Sequence, residues 1–303
     1  MKTFLKWAGI VLGTLLLIVA IAVAYLNISA QNRLARHYDI APRPVAVPAD
    51  SASVAEGRKW VSSLCVSCHG ENLAGSKFFD TPELGTICSA NLSPGLGGKG
   101  GKYTDADWVR AIRHGVSQSG RPLLGMPAEN FQYLSDEHLG QIIAYLKTLP
   151  PVDQQWPAAR TTLFCNVLFA LGAFGENALP AESIDHASPA HYAPPLAATA
   201  EYGKYIVQVG GCRTCHGPQL NGGPHPDPAG PVSPNLTPGG ALPSWGAAGF
   251  VQVMRSGVTP AGKELNGQYM PWKEIGRLDD DQLQAIYAYL MAQPERAAAP
   301  VKK

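Results

Sequence analysis

The same series of sequence blocks occurs twice in this chain, and the duplication constrains the fold more than any other feature. One copy lies within residues 51–152 and the other within residues 199–296. Blocks that keep their order indicate a tandem duplication, in which each copy folds as one unit. We therefore expect two modules of one fold. The paired blocks are CVSCHG (65–70) and CRTCHG (212–217), NLSPG (91–95) and NLTPG (235–239), WVRAIRHGV (108–116) and FVQVMRSGV (250–258), MP (126–127) and MP (270–271), and LGQIIAYL (139–146) and LQAIYAYL (283–290).

Each copy has the periodicity of helices joined by loops. In the last block of the first copy, Leu139, Ile142 and Leu146 recur at helical spacing. In the second copy, Asp279 with Gln282 three residues later predicts a capping-box start for the equivalent helix. The 32 glycines and 26 prolines favour long loops over a large sheet. The predicted fold class is mainly α: an N-terminal transmembrane helix, then two tandem modules that need a large apolar cofactor to complete their small cores.

Two C-x-x-C-H motifs carry the chemistry. This motif is the attachment signature of c-type haem, since two thiols three positions apart can each bond a vinyl group while the adjoining imidazole reaches the iron. A thioredoxin-like redox pair needs a βαβ setting and a zinc site needs four ligands, so neither alternative fits. The sequence therefore predicts two covalently bound haem c groups. Their predicted cysteine attachments and histidine ligands are Cys65, Cys68 and His69 in the first module and Cys212, Cys215 and His216 in the second.

Met126 and Met270 are the predicted sixth ligands of the two irons. Each stands in a Gly-containing loop, precedes a proline and comes before the last helix of its module. The proline fixes an extended backbone at the methionine, and His/Met ligation raises the reduction potential of a haem. His114 and His138 are the rival ligands in the first module. Since the second module has serine and glutamine at these positions, we expect both histidines to be solvated helix residues.

Two strong axial ligands leave no open position on the iron, which suits electron transfer rather than catalysis. The predicted function is therefore electron transfer. The alternative is a di-haem enzyme, such as a peroxidase or a thiosulfate-oxidising cytochrome, in which one iron keeps a free or displaceable position. With 24 Lys and Arg against 23 Asp and Glu, the formal charge of +1 gives no reason to expect nucleic acid as a partner.

An uncharged apolar run from Trp7 to Ile28 follows Lys2 and Lys6 near the start of the chain. About 20 apolar helical residues match the thickness of a bilayer core, so residues 1–30 are predicted to form a retained anchor. A signal peptide cleaved at the small residues 22–24 is the alternative, although the run is longer than a usual signal-peptide core. Haem attachment at CxxCH takes place outside the cytoplasm. We therefore expect a single-pass protein of the inner membrane whose haem domains face the periplasm.

The modules resemble cytochrome c domains, and the whole chain is similar to the membrane-anchored multi-haem cytochromes that accompany bacterial periplasmic dehydrogenases of the alcohol, aldehyde and gluconate types. The resemblance rests on the CxxCH runs, the NL[ST]PG segments, the middle helices and the MP loops. It implies as partners a periplasmic dehydrogenase or other redox protein, and a quinone pool or terminal oxidase. It also places Arg113 and Arg255 near haem propionates, with a solvated helix arginine as the alternative for each. Some relatives have three haem motifs where this chain has two, which leaves open which dehydrogenase, if any, it serves.

The resemblance further implies a close crossing of the first and last helices in each module. Gly57 is expected against Tyr145, and Gly203 against Tyr289. A glycine at this position leaves room for the partner helix because it has no side chain.

The predicted segments outside the modules are a tether (31–50), an interdomain linker (153–198) and a disordered tail (297–303). Cys88 and Cys165 lack haem spacing, and they form either a disulfide, as an oxidising compartment allows, or two buried free thiols. The apolar stretch 162–174 is too short to span a bilayer. It is expected to pack between the modules, with membrane or partner contact as the alternative.

Overall fold

The N-terminal helix α1 (Lys2–Leu34) is the longest element of the structure. The structure is a computed structural model that describes residues 1–175, 178–187, 191–227 and 229–300. The most apolar 18-residue stretch of α1 has a mean hydropathy of 2.7 and is not buried against the rest of the protein. Within the described ranges, α1 is the one helix long and apolar enough to cross a membrane.

The first module consists of helices and one β-hairpin. Its longer helices begin at side-chain caps: oxygens of Asp50, Thr104 and Ser135 each accept a hydrogen bond from a backbone N–H of the following turn. These caps explain why the helices begin where the loops end. The elements are α2 (Ser51–Leu64), α3 (Val66–His69), β1 (Lys77–Thr81), β2 (Gly85–Cys88), α4 (Asp105–His114), α5 (Ala128–Phe131) and α6 (Asp136–Leu146).

The segment between the modules adds a strand and a helix. Strand β3 (Arg160–Thr161) pairs antiparallel with β2, giving a sheet of order β1-β2-β3. Helix α7 (Leu163–Ala170) follows at once, capped by Thr162, whose hydroxyl accepts from the backbone N–H of Cys165 at 3.1 Å. This small sheet was not predicted, because its strands lie outside the blocks that the two copies share.

The second module repeats the helix order of the first. Its last helix, α12 (Asp280–Met291), starts with the predicted capping box of Asp279 and Gln282. The mainly α fold class, with an N-terminal apolar helix and two tandem modules, is confirmed. The helices that correspond to α2, α3, α4, α5 and α6 are α8 (Ala200–Val209), α9 (Cys212–His216), α10 (Gly246–Ser256), α11 (Trp272–Ile275) and α12 (Asp280–Met291).

The first and last helices of each module cross at a glycine. A Cβ on Gly57 would lie 1.9 Å from the carbonyl oxygen of Gln141, and one on Gly203 would lie 2.8 Å from the Cβ of Tyr289. The predicted contact of Gly203 with Tyr289 is therefore present. In both modules the closest approach comes one turn earlier, on the backbone of the last helix, since a Cβ on Gly203 would lie 1.8 Å from the carbonyl oxygen of Ala285. The contact of Gly57 with Tyr145 stays a prediction. Any side chain at either glycine would force the helix pair apart.

The two modules pack on each other reciprocally. Helix α5 of the first module contacts α8 of the second, and α11 of the second contacts α2 of the first. Tyr205 in α8 reaches the start of α6, where its hydroxyl accepts from the backbone N–H of Ser135 at 3.1 Å. At the same repeat position in α2, Lys59 forms an ion pair with Asp279 at the start of α12. Each first helix thus contacts the N-terminus of the other module's last helix.

The prediction that residues 162–174 pack between the modules is wrong. Helix α7 lies against the C-terminal part of α1 instead. The side-chain amide of Asn166 donates to Oδ1 of Asn27 at 2.8 Å, and the Arg33 guanidinium lies 4.3 Å from the centroid of the Phe169 ring. Ala30 of α1 is fully buried by this contact. The apolar composition of residues 162–174 indicates that the segment is buried, but it does not indicate which part of the protein buries it.

The tether and the start of the tail also pack on the modules. The Arg110 side chain donates to the carbonyl of Ile40 in the tether at 3.0 Å. In the tail, the backbone N–H of Ala299 donates to the carbonyl of Asn221 at 3.0 Å. Disorder is therefore wrong for residues 297–300, whereas 301–303 lie outside the described residues.

Cys88 and Cys165 are both free thiols. Cys165 is buried in α7, and Cys88 is half-buried at the end of β2. Of the two predicted alternatives, a disulfide or two buried free thiols, the structure has free thiols, although Cys88 is only partly buried.

Candidate haem-binding sites

A backbone carbonyl orients the motif histidine in each module. Nδ1 of His69 lies 2.8 Å from the carbonyl oxygen of Ala90, and Nδ1 of His216 lies 2.9 Å from that of Pro234. Burial lowers the pKa of both histidines, which favours the neutral ring. A neutral imidazole that donates its Nδ1–H to a carbonyl keeps the lone pair of Nε2 for a metal.

The NL[ST]PG segments hold these carbonyls in place, since Ala90 and Pro234 immediately precede them. The Asn91 side chain accepts from the backbone N–H two residues further on at 2.9 Å and donates to the carbonyl of Val152 at 2.8 Å. Asn235 makes the same pair of bonds, and its second partner is the carbonyl of Arg296. Each asparagine therefore ties the histidine-orienting loop to the chain that follows the module's last helix.

Two buried leucines with left-handed backbone support the same loops. Leu73 and Leu220 have φ angles of 55° and 59°, a conformation that is costly for a branched side chain and persists only where the surroundings impose it. Their carbonyls accept from the backbone N–H groups of Leu92 and Leu236, both at 2.8 Å. These residues were not predicted. The pattern H-G-x-x-L after both motifs was the sequence feature that could have revealed them.

Met126 and Met270 occupy turns of the same geometry. Pro127 has φ −77° and ψ 53°, and Pro271 has φ −76° and ψ 55°. In both turns the methionine carbonyl accepts from the N–H two residues later at 2.7 Å, as in an inverse γ-turn. Both side chains are half-buried against the core. The two methionines are thus structurally equivalent, and their bonds to iron stay a prediction.

The donor set of each module fits a covalently bound haem c. It combines two free thiols, an imidazole held through Nδ1 and a half-buried thioether. Burial raises the pKa of Cys65 to about 12 and that of Cys212 to about 11. Neither thiol therefore has the low pKa that is typical of a reactive redox cysteine. The alternative of a thioredoxin-like pair gains no support from this environment.

Arg113 and Arg255 bridge the middle helix to the last helix of their modules. Each guanidinium donates to a carbonyl just before the last helix and forms an ion pair with that helix's first residue, at 3.0 Å for Asp136 and 2.7 Å for Asp280. Arg113 is buried, so the alternative of a solvated arginine is wrong for it, whereas Arg255 is exposed. A contact with a haem propionate stays a prediction for both.

His114 and His138 are buried, so the prediction of solvated residues is wrong. Nδ1 of His138 lies 2.7 Å from the hydroxyl of Tyr205, and Nδ1 of His114 lies 3.1 Å from Nδ1 of His186. Burial lowers the pKa of each to about 4. Their partners come from the other module and from the linker, which a repeat comparison within one module does not reveal.

Sequence models of two known families match the chain, one in each module. The model of cytochrome c oxidase, cbb3-type, subunit III matches residues 52–146, and that of cytochrome c matches residues 200–294. A di-haem c-type cytochrome of Cereibacter sphaeroides is 30% identical over 270 residues, which cover 80% of this chain and 86% of that protein. This chain belongs to the di-haem c-type cytochromes. As a member of this family it carries two haem c groups, and its modules are electron-transport domains.

Cytochrome subunits of dehydrogenases are also related to this di-haem cytochrome. The fructose dehydrogenase cytochrome subunit of Gluconobacter japonicus is 26% identical over 289 residues, covering 84% of this chain and 55% of the subunit. The cytochrome c subunit of alcohol dehydrogenase (quinone) from Gluconacetobacter polyoxogenes is 31% identical over 179 residues, covering 56% and 37%. This chain thus spans about half or less of each of these subunits. The predicted resemblance to dehydrogenase cytochromes is confirmed.

Proposed function

We propose that this di-haem cytochrome transfers electrons through two His/Met-ligated haems, as the cytochrome subunit or partner of a periplasmic dehydrogenase that feeds a quinone pool or terminal oxidase. One observation carries the proposal: both modules combine a carbonyl-oriented histidine with a methionine held in the same proline turn. Two axial ligands leave an iron no vacant position for a substrate. The similarity to cytochrome subunits of fructose and alcohol dehydrogenases supports the choice of partner.

The role of the protein's own residues is to hold one coordination geometry in both redox states. When bound, haem c supplies a one-electron Fe(III)/Fe(II) couple. The carbonyls of Ala90 and Pro234 fix the orientation of the imidazoles, which would keep the rearrangement on electron transfer small. The soft thioethers of Met126 and Met270 would favour Fe(II) and raise the potential. The residues assigned to attachment are Cys65, Cys68, Cys212 and Cys215, and those assigned to ligation are His69, Met126, His216 and Met270.

The two methionine loops differ in their surroundings, which supports different partners for the two modules. In the first module the backbone N–H of Gly125 donates to the carbonyl of Ala178 at 3.3 Å, and Leu124 packs on the cluster between α1 and α7. In the second module residues 266–268, just before Met270, are exposed. The second module therefore offers the more accessible loop to a soluble redox partner.

Helix α1 is proposed as a retained anchor in the inner membrane, with both modules on the periplasmic side. The helix continues without a break from its apolar run into the turns that pack on α7. The apolar run from Trp7 to Ile28 is longer than the roughly 7–15-residue apolar core of a signal peptide. The proposed functional units are then the anchor (1–30), the tether (31–50), the modules 51–152 and 199–296 with the linker 153–198, and the tail (297–303).

Carbon monoxide binding to the full-length reduced protein tests the proposed ligation and function. We expect no stoichiometric binding at either haem and no turnover of hydrogen peroxide. Binding at one haem would show an open coordination position and favour the di-haem enzyme instead.

Cell fractionation with N-terminal sequencing tests the anchor. A membrane-bound chain that begins at or near Met1 is expected, whereas a start at Tyr25 would show a cleaved signal peptide.

A further inference from the structure

Helix α7 exposes an apolar face although the helix is docked against the protein. Leu163, Phe164 and Leu171, in or just after α7, are 55%, 56% and 65% exposed, and Phe174 is 39% exposed. The opposite face is buried and carries Cys165 and Phe169 together with the polar Asn166. A surface helix of a water-soluble domain normally buries its apolar face and exposes its polar one. Helix α7 is apolar on both faces, so docking against α1 leaves a second apolar face exposed, which indicates an interaction surface.

The position of α7 along α1 places this surface at one end of the proposed membrane span. Asn166 bonds to Asn27, and Phe169 packs under Arg33. Asn27 lies at the end of the apolar run that begins at Trp7. About 20 helical residues rise roughly 30 Å, the thickness of the hydrocarbon core. The α7 contact therefore lies where the hydrocarbon of the bilayer meets its periplasmic headgroups.

We propose that the exposed side chains of residues 163–174 insert into the periplasmic face of the bilayer and form a second membrane contact beside α1. The surface fits lipid because it adjoins the lipid-facing side of α1, and because Leu and Phe are side chains that interfacial helices bury at the acyl boundary. The charged Arg33 at this contact is paired with Glu182 at 2.6 Å. The proposal rests on the retention of α1 as an anchor.

This membrane contact would fix the orientation of the first module. The cluster under α7 (Ala30, Phe169 and Leu179) also packs against Leu124. The loop that presents Met126 is therefore attached directly to the membrane-contacting element. The first haem site is the one held beside the lipid surface.

Photo-crosslinking of the full-length, haem-loaded chain in vesicles of phosphatidylethanolamine and phosphatidylglycerol tests the proposal. The photoreactive p-benzoylphenylalanine replaces one residue at a time: Phe164 on the proposed surface, Leu16 inside α1, or Val232 in the second module. Val232 is a matched control, since it is 55% exposed and Phe164 is 56% exposed. After irradiation, mass spectrometry should find lipid adducts at positions 16 and 164 and none at 232.

The three positions test the lipid contact of residues 163–174 and the membrane anchor α1 separately. Adducts at 16 but not at 164 would overturn the lipid contact and leave the anchor standing. Absence of adducts at 16 would overturn the anchor and the surface with it. Equal adducts at 164 and 232 would show unspecific lipid collisions and also overturn the surface.

A double variant, Leu163→Glu with Phe164→Glu, supplies an independent check. Both side chains are more than half exposed, so the substitutions remove no core packing. Lipid adducts from a probe at Leu171 should fall in this variant, because carboxylates oppose insertion, while adducts from a probe at Leu16 stay unchanged. Undiminished adducts at position 171 would contradict the proposed insertion.

Discussion

The hydroxyl of Tyr205 lies 2.7 Å from Nδ1 of His138, across the boundary between the two modules. The same oxygen accepts from the backbone N–H of Ser135 at 3.1 Å. Trp60 packs on the pair, with its ring centroid 4.6 Å from that of His138. One hydroxyl thus satisfies two buried polar groups of the other module. These hydrogen bonds disfavour any other placement of the modules, because each alternative would leave the N–H of Ser135 and Nδ1 of His138 without partners.

Replacing Tyr205 by Phe should lower the free energy of unfolding by about 1–3 kcal/mol. The ring is kept, but the N–H of Ser135 and Nδ1 of His138 lose their partner in a buried site. Guanidinium unfolding followed by circular dichroism measures the change. Tyr192→Phe is the control, since Tyr192 is 85% exposed and should be neutral. Equal stability of the two variants would mean that the hydrogen bonds of the Tyr205 hydroxyl do not stabilise the interface.

The stability of the protein should fall as the pH drops from about 6.5 to about 4, and His138 should contribute to the fall. Burial lowers its pKa from the ordinary 6.5 to about 4. Between these two pH values the imidazole of His138 is protonated in the unfolded chain but neutral in the folded protein, so protonation stabilises the unfolded state. The loss is on the order of 3 kcal/mol, since one pKa unit corresponds to about 1.4 kcal/mol.

Carboxylates also titrate in this range, so the variant His138→Gln isolates the histidine. Glutamine is the residue at the equivalent position of the second module, where Gln282 donates to the hydroxyl of Tyr202 at 3.4 Å. The variant should lose less stability than the parent between pH 6.5 and 4. Parallel pH profiles for variant and parent would show that His138 is not buried in its neutral form.

The CxxCH motifs and the capping box of α12 could be predicted because each consists of residues close together in sequence, and the repeat could be predicted because its blocks recur in the same order. The capping box of Asp279 and Gln282 spans four positions and was predicted correctly. The burial of His138 could not be predicted, since its partner Tyr205 lies 67 residues away in the other module. The docking of α7 on α1 could not be predicted for the same reason. An apolar segment indicates that it packs on another surface, but it does not indicate which part of the protein forms that surface.

Gly57→Ala should destabilise the first module by roughly 1–3 kcal/mol, the usual cost of overpacking. Its Cβ would lie 1.9 Å from the carbonyl oxygen of Gln141, an approach that only movement of α2 away from α6 can relieve. The midpoint of guanidinium unfolding should therefore fall. Gly9→Ala in α1 is the control, because nothing lies within 4 Å of the added Cβ. If Gly57→Ala matched this control, the helices would not cross as closely as the structure shows.

Met126→Ala should leave the first haem attached while removing its proposed sixth ligand. The reduction potential of that haem should fall, since Fe(II) loses a soft thioether and axial ligands tune haem potentials over a range of about 0.8 V. The reduced variant should bind one carbon monoxide, at the first haem only, and Met270→Ala should do the same at the second. Redox titration and carbon monoxide difference spectra measure both effects.

Met254→Leu is the control: this methionine is buried in α10, and leucine conserves its volume, so neither property should change. A Met126→Ala protein with unaltered potential and no carbon monoxide complex would show that another group occupies the sixth position. Electron transfer would then remain the proposed function, but the equivalent proline turns of Met126 and Met270 would no longer be evidence for methionine ligation.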